Sequence, residues 1–223
     1  MQAGPSSLAD HRAKTVSLLR EWYADGSAYG TVSQRQHAMQ AAQQAALAGA
    51  PEPVIIGALL HDIGWKLSRE QPNAEQFGED LATAVSMRPP DANSIASQLG
   101  IIAHCGLPEG ADNSRIRAQH DVIGGCWLRM QGFDETCAHI TEGHVLAKRY
   151  LCFSEPDYYG KLSLLSKETL AFQGGPMTAE EARIFERDPL FTACVEMRRW
   201  DEGAKEPLWP TPDFDSYDAM IAR

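Results

Sequence analysis

Apolar residues recur along this chain at the three- and four-residue spacing of helices, and the two-residue alternation of half-buried strands is nearly absent. Over about 8–22, Val16, Leu18, Leu19 and Trp22 fall on helical spacing before a break at Asp25-Gly26-Ser27. A helix rich in Gln and Ala follows over 33–47 and stops at Gly49-Ala50-Pro51. Pro53 suits the first turn of a third helix, 54–64. That helix is apolar nearly all round, so it belongs in the core, with its C-terminal end delivering His61 and Asp62. The stretch 68–86 is polar and has no clear period, and Arg88-Pro89-Pro90 ends it. A helix over 92–103 then leads to a loop at 105–110.

The second half is clearer. Helices are predicted over 114–130, over 134–151 with Asp134 as N-cap, and over 162–172. Thr178-Ala179-Glu180-Glu181 has the pattern of a capping box and opens another. A core helix over 191–201 and a terminal one over 213–222 complete the chain. No repeat, low-complexity tract or linker interrupts it. The expectation is an all-α helical bundle, a single domain over 1–223 with an extended segment at about 70–118.

Composition narrows the class. A chain of 223 residues can bury a sizeable single core, and 43% hydrophobic with 22% charged residues is the balance of a soluble globular protein. A net charge of −10 argues against binding nucleic acid or an anionic membrane, since both need a basic face. Five scattered cysteines without a CxxC pair read as a reduced, intracellular set of small buried groups. No apolar secretory core follows Met1, and no run reaches transmembrane length, so a cytoplasmic location is expected. The expected partner is a small anionic molecule; oligomeric state is not written in these features.

The chemistry gathers at six residues. His61 and Asp62 stand side by side at the polar end of an apolar run, where both can reach one metal. His37 precedes them, His120 and His144 follow, and Asp201 comes late behind Trp200. Lone histidines such as His11 or His139 are read as ordinary surface or core residues. Six candidates carried on separate predicted helices suffice for two metal ions with a shared carboxylate. Mixed imidazole and carboxylate ligands suit iron, manganese or zinc rather than calcium.

The order His37, His61-Asp62, His120, His144, Asp201 is similar to that of the HD-domain superfamily in its binuclear form. Further stretches resemble its phosphonate-cleaving, mixed-valence di-iron oxygenases. They are Gln119-His120-Asp121, the run from Glu142 to Leu151, the run from Thr169 to Met177 with its Gln173-Gly174-Gly175-Pro176 core, and Arg198-Arg199-Trp200-Asp201. The resemblance runs over about 33–205, interrupted between Trp65 and His120. It implies an HD-type fold and two iron ions, Fe(II) and Fe(III), with O2 as co-substrate. It implies His37, His61 and Asp201 around one iron, His120 and His144 on the other, and Asp62 as the bridge. The implied reaction cleaves the C–P bond of a 1-hydroxyphosphonate to a carboxylate and phosphate.

The residues near those ligands fit such a substrate. Lys148 is four residues after His144 and Arg198 three before Asp201, so on helices each points the way its ligand points. A lysine and an arginine held beside a metal pair make a clamp for a tetrahedral oxyanion, whereas Arg149 and Arg199 are expected to face solvent. Ser166 matches a phosphonate-binding serine of the family. Trp65 stands where the family's aminophosphonate member has a histidine, and the segment Tyr29-Gly30-Thr31-Val32-Ser33-Gln34 lacks the glutamate with which that member meets an amine. Tyr29 is kept as a candidate lid residue. A quaternary ammonium has no N–H to bond and prefers aromatic faces, so 1-hydroxy-2-(trimethylammonio)ethylphosphonate, giving glycine betaine, is the favoured substrate. On the other reading Trp65 is a core aromatic. An HD-type phosphohydrolase would use the same ligands, a polyol-cleaving di-iron oxygenase would not need Lys148, Arg198 and Ser166, and a regulatory domain would have lost ligands.

Overall fold

In the computed structural model the described residues are 8–24, 28–70 and 113–222. The chain begins with α1 (Leu8–Ala24), then a hairpin of two short antiparallel strands, β1 (Ala28–Tyr29) and β2 (Val32–Ser33). Gly30 carries the left-handed backbone of that tight turn, with φ of 62°. Ser33 then caps α2 (Gln34–Leu47) in a capping box with Gln36. All remaining elements are helical, which bears out the all-α expectation among the described residues.

The predicted third helix divides in two. α3 (Glu52–Leu60) ends before the histidine–aspartate pair, and α4 (Ile63–Glu70) starts just after it. His61 and Asp62 therefore lie in a turn between helices rather than on a continuous one. The Ala58 carbonyl, which an unbroken helix would offer to the amide four residues on, instead accepts from the His61 ring Nδ1 at 2.8 Å. From Val54 to Leu60 every residue of α3 is buried, as its all-round apolarity requires.

α5 (Asn113–Met130) and α6 (Glu135–Ser154) follow, the latter capped by Asp134 onto the Thr136 amide. A short α7 (Tyr158–Lys161), which the sequence pattern did not reveal, precedes α8 (Leu164–Phe172), capped by Ser163. α9 (Ala179–Phe185) opens on the capping box of Thr178 and Glu181. α10 (Phe191–Gly203) runs two residues past its expected end. The terminal segment divides into a 3-10 turn (Phe214–Tyr217) and α11 (Asp218–Ile221). The expected helix over 92–103, the loop over 105–110, His104 and Cys105 lie outside the described residues.

The packing is centred on α6, which lies against α3, α5 and α10; α2 covers α3 and α10, and α4 lies against α5. Gly64 permits that last contact. A Cβ there would fall 1.8 Å from the His120 carbonyl oxygen, so only glycine lets α4 approach the α5 backbone so closely. Cys126, Cys137 and Cys194 are buried as free thiols in this core. No helix among the described residues is long and apolar enough to cross a membrane.

Candidate metal centre and anion cleft

Five segments of the bundle meet at one buried place. α2 supplies His37, the α3–α4 turn His61 and Asp62, α5 His120, α6 His144 and α10 Asp201. All six are at most 4% exposed. Their ligating atoms form two groups, His37 with His61 and Asp201, and Asp62 with His120 and His144, each group within 4.8 Å across. In the first, His37 Nε2 is 3.1 Å from His61 Nε2 and 3.4 Å from Asp201 Oδ1. In the second, His120 Nε2 is 3.1 Å from His144 Nε2 and 3.3 Å from Asp62 Oδ1.

Asp62 faces both groups. Its Oδ2 is 3.7 Å from Nε2 of His37 and of His61, while Oδ1 turns to His120 and His144. One carboxylate thus stands between the two histidine pairs.

The hydrogen bonds of the imidazoles show what the centre lacks. Nδ1 of His37 faces the Ala204 carbonyl at 2.8 Å, and Nδ1 of His144 faces the Thr141 carbonyl. A carbonyl only accepts, so these nitrogens carry the proton, as does Nδ1 of His61. The inward Nε2 atoms are then bare lone pairs, and two lone pairs 3.1 Å apart repel unless a cation lies between them. Asp62 Oδ2 and Asp201 Oδ1 are buried without a hydrogen-bond partner, which a folded core rarely tolerates. The residues fit a pair of metal ions, with the imidazoles of His37, His61 and His144 oriented from outside as metal-bound histidines are.

Electrostatics points the same way. Burial lowers the pKa of His61, and burial with the neighbouring His120 and His61 lowers that of His144 further, which favours the metal-binding form of both rings. Burial alone would raise Asp62, but the imidazoles of His61, His120 and His37 outweigh it and hold the carboxylate well below its ordinary value. For Asp201 burial is outweighed by the Arg198 and Lys205 cations. Both acids are ionised.

Beside the second group opens a small cleft lined by Trp65, His120, His144, Lys148, Leu165, Ser166, Thr169, Arg198 and Asp201, enclosing about 20 Å³. Lys148 is 2% exposed, and burial together with the nearby Arg198 brings its ammonium down to a pKa of about 7. Its Nζ donates to Thr169 Oγ1 at 3.0 Å. Arg198 donates from Nε to the Tyr158 hydroxyl at 3.0 Å and from Nη2 to Ser166 Oγ at 3.3 Å, and pairs with Asp201 and Glu202. Trp65 stacks on the His120 ring, centroids 4.8 Å apart.

Two functionally described relatives cover most of this chain. A (1-hydroxy-2-(trimethylamino)ethyl)phosphonate dioxygenase (glycine-betaine-forming) from Leisingera caerulea is 30% identical over 192 residues, 86% of this chain and 79% of the relative. A hydroxymethylphosphonate dioxygenase from Gimesia maris is 32% identical over 192 residues, 86% of this chain and 77% of the relative. The chain belongs to the phosphonate dioxygenase family. An uncharacterised protein of Acanthamoeba polyphaga mimivirus, L432, is 32% identical over 193 residues, 86% of this chain and 71% of its own length. No protein-family model matches the chain.

The resemblance to phosphonate-cleaving oxygenases, read from the stretches around the candidate ligands, is thus borne out, and the structure of this phosphonate dioxygenase family member brings most of its candidate residues together. His37, His61, Asp62, His120, His144 and Asp201 converge, with Trp65, Lys148, Ser166 and Arg198 lining the adjoining cleft. Tyr29 lies in β1, and its side chain is outside the described part. Arg149 departs from expectation. It is buried, donating to the Gly175 carbonyl at 3.0 Å and pairing with Glu181 at 2.6 Å. The turn at Gly174 and Gly175, both with positive φ, folds over it. Arg199 is exposed and pairs with Glu155. Thr169, Leu165, Tyr158 and Glu202 were not singled out from sequence. Thr169 lies three residues after Ser166 and Glu202 four after Arg198, a helical spacing that could have found them; nothing pointed to Tyr158.

Proposed function

We propose that this protein is a dioxygenase that cleaves the C–P bond of a 1-hydroxyphosphonate, using O2 and two iron ions. Lys148, Ser166 and Arg198, lining a cleft that opens onto His120, His144 and Asp201, are the observation that carries this reading. His37, His61 and Asp201 would hold one iron, His120 and His144 the other, and Asp62 both; iron held there supplies the redox chemistry with O2. The residues are read as one HD-type metal-dependent domain over 1–223.

The chain's own part is to bind and orient. The Lys148 ammonium, one of whose three N–H groups is used by Thr169, offers the others to phosphonate oxygens, with Ser166 and Arg198 completing the anion site. That anchoring sets C1 and its hydroxyl toward the ligand clusters. The stoichiometry closes: the hydroxyphosphonate and O2 give a carboxylate, phosphate and a proton, with O2 as the oxidant and both its atoms in the products.

For the substrate's other end, the favoured group is trimethylammonium, giving glycine betaine. Asp201 is the single carboxylate among the described residues lining the cleft, and it is engaged by Arg198, so among these residues a primary ammonium finds no unengaged carboxylate. Trp65 lines the cleft, half-buried and stacked on His120, and an aromatic ring in that lining suits a quaternary ammonium. A second reading, hydroxymethylphosphonate, is favoured by the smallness of the cleft, about 20 Å³, which suits a substrate with no bulky group beyond C1 better than one with a trimethylammonium.

Phosphate release by iron-loaded protein from a panel of 1-hydroxyphosphonates, with and without O2, tests both levels. Release that requires O2 and is fastest with the trimethylammonium compound supports the full reading. Equal release without O2 would end the oxygenase reading, and O2-independent release from phosphate esters with manganese in place of iron would instead show a phosphohydrolase.

A further inference from the structure

One acidic side chain beside the cleft serves neither ligand group. Glu202 follows Asp201 on α10, and its side chain is 18% exposed. Its Oε2 pairs with Arg198 Nη2 and lies 3.1 Å from Lys205 Nζ. Its Oε1 accepts from the Ser163 backbone N–H at 3.2 Å. Ser163 is the N-cap of α8, and its hydroxyl is 3.0 Å from that of Ser166. A single carboxylate therefore ties the Arg198 guanidinium to the first turn of the helix that carries Ser166.

A count of donors shows how tightly Arg198 is held. Of its five N–H groups, Nε uses one on Tyr158, Nη1 one on Asp201, and Nη2 two on Glu202 and Ser166. Among the described residues one N–H on Nη1 is left for a ligand, and its direction follows from the bonds around it.

We propose that Glu202 is a positioning residue for the tetrahedral oxyanion, holding Arg198 and the N-terminus of α8 in one frame so that both present donors to the same ligand. The inference rests on the phosphonate reading for the identity of that ligand. Both oxygens are needed as acceptors. A glutamine amide would turn its NH2 toward the Ser163 N–H in one orientation and toward Arg198 and Lys205 in the other, losing a bond either way. An aspartate keeps the charge beside Arg198 but is one methylene short of Ser163.

The test uses metal-loaded full-length protein and inorganic phosphate as probe, with Kd from calorimetry alongside KM, kcat, metal content and Tm. Loss of a charge-assisted hydrogen bond predicts that Glu202→Gln raises phosphate Kd and substrate KM about tenfold or more, with kcat and metal content nearly unchanged. Glu202→Asp is expected to fall between the two. A lowered Tm with unchanged phosphate Kd means a merely structural role and overturns the proposal. If the glutamine variant folds poorly, Glu202→Asp decides, and a Kd equal to that of the parent protein overturns it. Parent protein that does not bind phosphate overturns it too. Parent protein that binds phosphate but releases none from any 1-hydroxyphosphonate under O2 ends the functional reading and leaves this one judged on Kd.

Discussion

Asp62 shows how much a single residue can decide. Its two oxygens face two separate histidine groups, and the imidazoles keep it ionised against burial. Asp62→Ala is expected to abolish binding of both irons and all turnover, and metal analysis that still finds two irons per chain would refute the assignment. Lys148 gives a prediction in pH. Its ammonium has a pKa brought to about 7 by burial and Arg198, so it is charged below that value and neutral above. Inhibition by sulfate, whose own charge is constant in this range, should therefore weaken as pH rises through about 7. Lys148→Arg, with a guanidinium that stays charged, should flatten the profile; an unchanged profile would remove Lys148 from the anion site. The ligands were legible in sequence because histidine and aspartate in a fixed order have few other uses together. Tyr158 was not, because a tyrosine that braces Arg198 from forty residues away has no local mark.

At the scale of elements, the caps were written locally and the break in α3 was not. Ser33, Asp134 and Thr178 each bond an amide within three residues, so short-range pattern suffices to find them. The turn at His61-Asp62 interrupts a run whose apolar residues continue without a break, and at it the His61 ring faces the Ala58 carbonyl. Arg149 was assigned to solvent by spacing, yet the glycine turn at 174–175 folds onto it from a distant part of the chain. Gly64 likewise looks unremarkable in sequence and is decisive in packing. Gly64→Ala would drive a methyl into the His120 carbonyl and force α4 away from α5. Overpacking of this kind costs roughly 1–3 kcal/mol. The expected signature is a lowered Tm together with loss of the metal held by His120 and His144; a variant with normal Tm and full metal content would contradict the contact.

On the scale of the whole molecule, the two ligand groups join α2, the α3–α4 turn, α5, α6 and α10, so metal and fold stability are linked. A ligand at a hundred times its Kd stabilises by about 2.7 kcal/mol, which for a chain of this size is on the order of 5–10 °C in Tm. Removing the metals by chelation should lower Tm by at least that amount and restoring iron should reverse it; an unchanged Tm would mean the groups hold no structural ion. By itself the sequence determined the class of bundle, the caps and the set of candidate ligands, because helical period, capping and metal preference are properties of residue types and their order. Only the tertiary structure decided that the histidine–aspartate pair lies in a turn between two helices, that Arg149 is buried and that Glu202 braces Arg198. Those facts depend on which faces of distant helices meet, and that is fixed by packing among residues far apart in the chain.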